Sequence, residues 1–446
     1  MSARVELPAP RPDSHPLRVL VIGGGGRDHA LCHALAASPR LGELHAAPGN
    51  AGISTIATCH PIALDDHAGI VELARGLDLD LAIVGAEDML VAGLASDLEA
   101  AGVPCLGPSR AAARLEGSKV FAKQLMERGS VPTPPWEQCD SVARAHAAIE
   151  RLGGAVAVKA DGLAAGLGAF VCPTPESAHA AVDVLMVERR FGASGDRIVI
   201  EQLVEGHEAS VMAIVDGEHV VPLPAARDYK RLGDDDAGPN TGGMGAHAPS
   251  TDIAPADAAS LAHAVIQPIV DQLRAEGTPF RGVVYAGVML TATGPQVLEY
   301  NARFGNPETQ ALVRVIDADL LDLLYRAARG SLAGVPDVPV TGAAAAVCIA
   351  AEHYPQLQLE PAPVPVSGLD AASGVDGVAV FQGLSTPIDG TTDAVLALGG
   401  RVVTISAWAP DLATAVERAY DAASLIELDG RHLRSDIGRA ALASAR

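Results

Sequence analysis

Strand and helix patterns alternate over the first hundred residues of the chain. Residues 17–22 form a continuous apolar run that leads into four glycines at 23–26, and apolar positions then recur at helical spacing over 29–35. Continuous apolar runs are typical of parallel strands that are covered on both faces. Further strands are predicted at 79–84 and 103–106. Together these elements predict a doubly wound α/β domain at 17–117.

The middle of the chain mixes short strands with helices. Ser118 is predicted to cap a helix at 119–128, and the proline-rich stretch 131–135 has the composition of a linker. This pattern predicts a small α+β lobe at 118–206 and a larger lobe at 207–341. The strands predicted in the two lobes are 155–160, 168–172, 197–203, a hairpin at 211–223, 282–291 and 296–300, and the helices are 176–186 and 255–275.

The two ends of the chain differ from its middle. Residues 1–16 are rich in proline and lack the apolar segment of a signal peptide, so a disordered extension is predicted there. From residue 342 onward short strands precede an amphipathic helix near 412–425, which predicts a small β-rich domain at 342–446. The fold class expected for the whole chain is multidomain, combining α/β and α+β parts.

Composition and charge narrow the possible partners. At 446 residues the chain exceeds what one hydrophobic core usually serves. A formal net charge of −22 argues against nucleic acids and anionic membranes, so any phosphate site must be a local basic island. The six cysteines are scattered without a C-x-x-C pair, and a reduced cytoplasmic setting fits them best. We expect a monomer or a weak homodimer that acts on small molecules.

The segment 228–245 is the most informative part of the chain. It combines Lys230 and Arg231 with acidic residues, an asparagine and five glycines, without helical or strand periodicity. Ordering such a segment is costly unless something binds there. We interpret it as a loop shaped around an anionic substrate. The alternative is an ordinary surface loop, since glycine and aspartate are common turn residues.

The glycine run at 23–26 follows a predicted strand and opens a predicted helix. Glycines allow the backbone to approach a phosphate, and a helix N-terminus supplies amide donors. The spacing is not a clean G-x-G-x-x-G, and no convincing acidic residue ends a second strand about twenty residues on, which weakens the case for a dinucleotide. Phosphate or sugar-phosphate binding, a nicotinamide cofactor and a plain turn all stay open at this point.

Two strands carry polar residues where apolar ones are expected. Lys159 lies in the apolar run 156–160, and a buried lysine is costly unless an anion meets it. The alternative is an edge lysine whose ammonium reaches solvent. Glu299, Asn301 and Arg303 alternate along a predicted strand, so they should share one face. Their oxygens suit Mg²⁺ and the guanidinium suits a phosphate, whereas the alternative is an exposed sheet face.

Five strings resemble those of the ATP-grasp ligases and, within them, those of the phosphoribosylamine-glycine ligase family. They follow one another along the chain as APGNAG at 47–52, LEGSK at 115–119, KADGLAAG at 159–166, GPNTGGMG at 238–245 and RFG at 303–305. The resemblance implies an ATP-grasp fold with an N-terminal doubly wound domain and a small C-terminal β-rich domain. It also implies an ADP-forming ligase of purine biosynthesis that joins glycine to 5-phosphoribosylamine through a glycyl phosphate.

The same resemblance implies roles for individual residues. Arg303 and Lys159 would be catalytic, and Glu299 and Asn301 would bind Mg²⁺, or Mn²⁺ in its place. The residues implied to bind ATP are Lys119, Lys159, Gly162, Ala164, Gly166, Glu201, Gln202, Leu203, Glu208 and Asn301. The residues predicted to bind the other substrates are Gly25, Arg27, Asn50, Glu87, Lys230, Arg231, Asn240, Thr241, Gly242, Gly243 and Asn306. Among these, the N-terminal glycine turn, Asn50, Glu87, Lys230 and Arg231 are inferred from charge and position and not from the resemblance.

The chain departs from the family pattern at four places. The family carries a lysine where this chain has Leu167 and an acid where it has Asn306. The other departures are Ala86, Asp88 and Met89 within 85–90, and Glu352 with His353 before the Tyr-Pro pair. Three hypotheses therefore stay open: the glycine ligase, a related ligase for another acid or amine in specialised metabolism, and a catalytically weak nucleotide-binding protein.

Overall fold

The computed structural model describes residues 15–164, 166–356 and 362–444, so nearly all of the predicted N-terminal extension lies outside the described residues. The helices are α1 (Gly26–Ala36), α2 (His67–Gly76), α3 (Glu87–Ala92), α4 (Leu94–Ala100), α5 (Arg114–Gly117), α6 (Lys119–Arg128), α7 (Val142–Arg151), α8 (Pro175–Val182), α9 (Pro255–Ala275), α10 (Glu308–Val315), α11 (Leu320–Ala328), α12 (Leu369–Ser373), α13 (Leu412–Ser424) and α14 (Arg439–Ser444). The strands are β1 (Leu17–Gly23), β2 (Leu41–Pro48), β3 (Thr58–Cys59), β4 (Leu81–Val84), β5 (Cys105–Leu106), β6 (Trp136–Cys139), β7 (Val156–Ala160), β8 (Ala169–Cys172), β9 (Ile198–Gln202), β10 (His207–Asp216), β11 (Val220–Pro222), β12 (Arg227–Asp228), β13 (Arg231–Gly233), β14 (Ala237–Asn240), β15 (Gly245–Ala248), β16 (Arg281–Thr291), β17 (Gly294–Asn301), β18 (Ala343–Ala350), β19 (Val364–Ser367), β20 (Val378–Gln382), β21 (Ser385–Pro387), β22 (Ala394–Ala397) and β23 (Arg401–Ala409).

The N-terminal part is the predicted doubly wound domain. Its parallel sheet has the order β3-β2-β1-β4-β5. Val19 and Val21 pack into one hydrophobic core and Leu20 and Ile22 into another, because successive side chains of β1 point to opposite faces. The strand order reverses between β1 and β4, so a crevice opens at their carboxyl ends. The glycine run and the start of α3 lie at this crevice.

Two four-stranded sheets form the middle of the molecule. The smaller lobe has the antiparallel order β6-β9-β7-β8, and the larger lobe has the order β11-β10-β16-β17. The long helix α9 has the predicted bounds and buries Ile266, Ile269 and Leu273 against the larger sheet. The helix predicted at 176–186 ends as an α-helix at Val182, and a wider π-type turn continues it to Val187.

A further sheet joins the segment around residue 228 to the C-terminal region. Its order is β12-β15-β18-β23-β20, and Gly245 pairs with Val347 in the β15–β18 ladder. The sheet therefore crosses the predicted boundary at residue 342. In addition, the segment 228–245 was expected to be aperiodic, but it contains the antiparallel hairpin β13–β14 with Arg231 opposite Asn240. Local composition missed this hairpin because C-terminal residues stabilise it.

Arg434 is the centre of that stabilisation. Its guanidinium is buried and donates hydrogen bonds to Asp236 Oδ1 at 2.7 Å and to the Arg231 carbonyl oxygen at 3.2 Å. It also contacts both carboxylate oxygens of Asp436 and lies over the Tyr229 ring, 5.1 Å from the centroid. Ser435 binds the Asp234 carboxylate and Arg439 binds that of Asp235, so all three aspartates of the hairpin turn are held by the C-terminal region. Among the helices of the described residues, none is long and apolar enough to span a bilayer.

Ser118 provides a test of how α6 is held. Its hydroxyl accepts a hydrogen bond from the Phe121 amide at 3.1 Å and donates one to Asp161 Oδ1 at 2.8 Å. We expect Ser118→Ala to lower the local opening free energy of α6 by about 1–2 kcal/mol, measured by amide hydrogen exchange over 120–128. Ser141 begins α7 without a side-chain capping hydrogen bond, so Ser141→Ala is the matched control. Equal losses in the two helices would contradict the prediction.

Candidate active site

Two adjoining cavities lie between the lobes and the crevice of the N-terminal sheet. The first is lined from α6, β17, the glycine-rich segment after β7 and the segment 240–242. The second is lined from β7, β9, the start of β10 and β13. Asp228, Lys230, Asn240 and Glu299 line both cavities, so the two form one continuous cleft.

Glu299 is the carboxylate at the junction of the cavities. Its Oε2 lies 3.0 Å from Lys119 Nζ and its Oε1 lies 3.8 Å from Lys230 Nζ. Lys119 outweighs the effect of burial and holds the pKa of Glu299 well below its usual range. Lys230 also forms an ion pair with Glu208. Glu299 therefore stays ionised, and its negative charge is shared between cations from α6 and from the segment before β13.

Glu201 is a buried carboxylate in the lining of the second cavity. It forms ion pairs with Lys159, from β7, and with Lys123, whose Nζ lies 2.5 Å from Oε2. Lys159 Nζ also donates a hydrogen bond to the Leu298 carbonyl at 3.1 Å. Burial favours the neutral acid, but the two lysines outweigh it and lower the pKa of Glu201. Lys159, which the sequence places in an apolar strand, is thus paired with a buried carboxylate in this structure.

Arg303 lies between two carboxylates at the opposite end of the first cavity. Its Nε is 3.4 Å from Glu87 Oε2 and 3.3 Å from Glu116 Oε1. Glu87 also lies 3.6 Å from Arg27 Nη2. Burial favours the neutral form of Glu87, but Arg303 and Arg27 outweigh it and lower its pKa to about 2. β17 ends at Asn301, so Arg303 lies just beyond the strand that was expected to contain it.

Asp228 and Glu308 give the first cavity an acidic wall. Glu308 Oε1 accepts a hydrogen bond from Ser210 Oγ at 2.9 Å, and the same hydroxyl lies 2.9 Å from Tyr285 OH. Asp228 Oδ1 is shielded from solvent and has no hydrogen-bond partner among the described residues. Burial and the nearby Glu308 charge raise the pKa of Asp228 well above its usual value. An unpartnered acid beside a cavity suits a cationic or amine-bearing group.

The glycine pair 242–243 is held by the C-terminal region. Arg401 Nη1, at the start of β23, donates hydrogen bonds to the carbonyl oxygens of Gly242, Gly243 (3.1 Å) and Asn306 (2.7 Å). Tyr354 OH accepts a hydrogen bond from the Gly242 amide at 2.9 Å. Gly243 has φ +102°, and a Cβ there would lie 2.6 Å from Asp228 Oδ1. This turn therefore requires glycine, both for its conformation and for its closeness to the acid.

Most of the residues predicted for the site line the cleft. The first cavity is lined by Glu87, Lys119, Gly162, Ala164, Gly166, Lys230, Asn240, Thr241, Gly242, Glu299, Asn301, Arg303 and Asn306. The second is lined by Lys159, Glu201, Gln202, Leu203, Glu208 and Arg231, as well as by Lys230, Asn240 and Glu299. Their individual roles stay predictions.

Four predicted residues lie outside these linings. Arg27 contacts the lining residue Glu87, at 3.6 Å, but does not line the cavity itself. Gly243 is the next residue after Gly242, which does line it. The Gly25 amide donates to Asp28 Oδ2 at 2.9 Å. Asn50 donates to the carbonyl oxygens of Gly24 and Gln382, both at 2.9 Å. The side chain of Asn50 thus joins the N-terminal glycine run to the C-terminal region.

The sequence interpretation missed several polar and charged residues of the site. Glu116, Asp228, Tyr285 and Glu308 line the first cavity. Lys123 contacts Glu201 from behind the second cavity, and Arg401 binds the backbone of the turn at 242–243. Glu116, Lys123 and Asp228 lie in or beside strings that were already singled out, so their charge within otherwise apolar or glycine-rich stretches was an available signal. Arg401 offered no such signal, because its partners lie about a hundred residues or more away in the chain.

Glu299 and Asn301 are the residues that fit a metal ion. Their side-chain oxygens face the first cavity, and oxygen ligands are those that Mg²⁺ prefers. Within the described ranges no cluster of three or more His, Cys, Asp or Glu side chains is arranged to hold a metal by itself. An ion here would therefore complete its coordination with substrate phosphates and water, as Mg²⁺ usually does.

A small antiparallel lobe and a larger lobe that enclose a lysine-lined cleft define an ATP-grasp fold, and solved structures agree. The biotin carboxylase domain of Hydrogenobacter thermophilus 2-oxoglutarate carboxylase superposes with a TM-score of 0.71 at 18% identity, covering 94% of this chain and 92% of that one. Phosphoribosylamine-glycine ligase from Thermotoga maritima superposes with a TM-score of 0.82 at 29% identity, covering 94% and 100%. The predicted fold class is confirmed.

Sequence comparison identifies the family within this class. Family profiles for phosphoribosylglycinamide synthetase match in order: the N domain over 17–116, the ATP-grasp (A) domain over 117–309 and the C domain over 344–440. Phosphoribosylamine-glycine ligase from Brucella melitensis is 43% identical over 422 residues, which is 95% of this chain and 97% of that protein. The chain belongs to the phosphoribosylglycinamide synthetase family, which confirms the resemblance in the sequence.

Arg401 offers a test of the C-terminal contribution to the cleft. We expect Arg401→Met to leave three carbonyl oxygens without their donor and to speed amide hydrogen exchange over 241–244 by about tenfold or more. The Arg110 side chain is 60% exposed and its ion pair with Asp97 is loose, at 3.9 Å, so Arg110→Met is the control. Unchanged amide exchange at 241–244 in the Arg401 variant would show that the hydrogen bonds of Arg401 do not hold the turn.

Proposed function

We propose that the chain is an ADP-forming ligase that joins glycine to 5-phosphoribosylamine with ATP, through a glycyl phosphate. One observation carries the proposal: a single continuous cleft brings Lys119, Glu299 and Arg303 together with an acidic wall and a glycine-rich turn. Family membership supports the same reaction, because relatives that match nearly the whole chain bear that name. The residue roles below belong to the proposal.

The second cavity is the proposed nucleotide site. Lys159 and Lys119 supply positive charge near the junction of the cavities, where the phosphates of ATP would lie. The backbone of 201–203 faces the second cavity and would receive adenine, while Glu208 would meet the ribose hydroxyls. Gly162, Ala164 and Gly166 would cover the phosphates from the other side, because small residues let the backbone approach an anion.

Glu299 and Asn301 would hold Mg²⁺, with Mn²⁺ as a substitute that prefers similar oxygen ligands. When bound, the ion would supply positive charge that offsets the charge on the transferring phosphoryl group. The protein's own contribution is to keep Glu299 ionised and aimed into the cavity through Lys119 and Lys230. A carboxylate held between two cations is fixed before the substrate arrives, so little reorganisation is needed.

The first cavity would hold the two molecules to be joined. Arg303 would stabilise the acyl phosphate, which forms when the glycine carboxylate attacks the γ-phosphate of ATP and releases ADP. Phosphate leaves when the amine of 5-phosphoribosylamine attacks the acyl carbon and forms the amide. Lys230 lines this cavity and would favour the sugar phosphate, together with Arg27 from behind Glu87 and Arg231 from the adjoining cavity. Asp228 and Glu308 suit a substrate amine or ammonium.

Substrate dependence tests the proposed reaction directly. Purified protein receives ATP, Mg²⁺ and 5-phosphoribosylamine generated in the reaction vessel, and ADP release is followed with and without glycine. We expect ADP release to require glycine. A panel of other amino acids and amines is tested in parallel. Turnover with another acid or amine but not with glycine would replace this proposal by a ligase of different specificity, and nucleotide binding without turnover on any pair would indicate a binding protein.

Arg303 tests the assigned transition-state contact. We expect Arg303→Met to lower kcat by about a hundredfold to a thousandfold, because a preorganised donor to the developing charge is lost. The KM for ATP should change little, since Arg303 lines the first cavity and not the second. A control is Arg128→Met, which removes a half-exposed cation from the distant end of α6. A fall in ATP affinity with unchanged kcat would contradict the assigned role.

Leu167 tests the most prominent departure from the family pattern. It is half-buried between Gly166 and Gly168, which line the first cavity. We expect Leu167→Lys to tighten ATP binding by about tenfold to a hundredfold, because a charge-assisted hydrogen bond to phosphate contributes about 1.5–3 kcal/mol. Leu167→Met controls for the change of shape. Unchanged ATP affinity in the lysine variant would show that this segment does not reach the phosphates.

A further inference from the structure

Lys123 is a buried cation that contacts the nucleotide site from behind. Its side chain is 2% exposed, and its Nζ lies 2.5 Å from Glu201 Oε2 and donates a hydrogen bond to Thr133 Oγ1 at 2.6 Å. It lines neither cavity, so it cannot touch a bound nucleotide. A buried lysine is costly to desolvate, and its presence requires a reason beyond packing.

The contacts of Lys123 lead to the groups that would meet phosphate. Glu201 uses its second oxygen to pair with Lys159, which lines the second cavity. Thr133 Oγ1 in turn donates a hydrogen bond to the Val297 carbonyl oxygen at 2.8 Å. Lys159 Nζ donates a hydrogen bond to the carbonyl oxygen of the next residue, Leu298. The two lysines are therefore tied to consecutive residues of β17, immediately before Glu299.

Charge balance shows what Lys123 changes. Lys123 and Lys159 carry two positive charges and Glu201 one negative charge, so the buried triad carries a net charge of +1. Without Lys123, Glu201 would neutralise Lys159 and both carboxylate oxygens would be available to hold its ammonium. The phosphates of ATP would then meet a neutral pair in place of a net cation, and attraction in a buried site depends strongly on such a charge.

We propose that Lys123 is a positioning residue for nucleotide binding: it shares Glu201 with Lys159, so the buried triad keeps a net charge of +1 and the Lys159 ammonium stays available to the phosphates of ATP. The proposal rests on the proposed function only in taking ATP as the ligand. Its tests measure binding, so they give a result even if glycine is not the substrate.

The first test compares two ligands that differ in their phosphates. We expect Lys123→Met to weaken binding of Mg²⁺-ATP by about tenfold to a hundredfold, because the contact of Lys159 with phosphate would lose its net positive charge. Adenosine binding should stay within about twofold of the native protein. Calorimetric titration measures both ligands. If Lys123 were merely structural, its replacement would weaken the binding of adenosine and ATP equally or weaken neither. Either result would overturn the proposal.

A charge-matched variant separates charge from packing. Lys123→Met combined with Glu201→Gln restores the net charge of +1 on Lys159 while keeping the methionine of the single variant. We expect the double variant to recover most of the lost ratio of ATP affinity to adenosine affinity; the ratio is used because the backbone of 201–203 would itself receive adenine. A double variant as weak toward ATP as the single one would overturn the charge-sharing account. Lys123→Arg, which keeps the charge, should bind ATP more tightly than Lys123→Met.

The pH dependence of the native protein provides a test that needs no variant. Burial lowers the pKa of Lys123 to about 8, against the opposing effect of Glu201 on β9, and Lys159 on β7 and Lys119 on its own helix lower it further. The charged form is present below this value and is lost above it, so ATP affinity should fall as pH rises through about 8. Adenosine affinity should stay level across the same range. An ATP affinity that is flat through pH 8 would contradict the proposal.

Discussion

The carboxylate of Glu299, held between two cations in the cleft, is the interaction on which the rest of the site depends. Lys119 comes from α6 and Lys230 from the segment before β13, so the ion pairs join three elements that are distant in sequence. The three side chains are 21–27% exposed, so solvent screens these pairs only in part, and removing one member would leave its partner's charge incompletely compensated. These elements therefore fix one another, and the neighbouring Asn301 and Arg303 take their places in the cavity from the same strand end.

The C-terminal region belongs to the frame of this cleft. Its strand β18 pairs with β15, directly after the glycine pair, and Arg401 and Tyr354 bind the backbone of that pair. Arg434 holds the hairpin that carries Arg231 and Asn240. A domain that contributes few side chains to the cavity walls thus sets the conformation of the walls themselves.

The departures from the family pattern leave the ion pairs of Lys119, Glu299 and Arg303 in place. Leu167 is part of the covering segment, and the Asn306 side chain accepts a hydrogen bond from Gln310 Nε2 at 2.9 Å while its carbonyl binds Arg401. Asn306 is therefore engaged in holding its own turn. The lysines, the arginine and the carboxylate on which phosphoryl transfer would depend are all present in the cleft, which favours an altered phosphate contact over a lost catalytic centre.

The sequence by itself determined three of the five strands of the N-terminal sheet, the bounds of α9, and the family, because periodicity and short colinear strings are local properties; it missed β2 and β3. It also identified most cavity-lining residues, from Lys119 to Asn306. The tertiary structure alone decided which charges meet: that Glu201 is shared by Lys123 and Lys159, that Asp228 faces Glu308, and that Arg401 binds the glycine turn. Ion pairs depend on distance in space and leave no period in the chain, so these partners became visible once the strands were packed together.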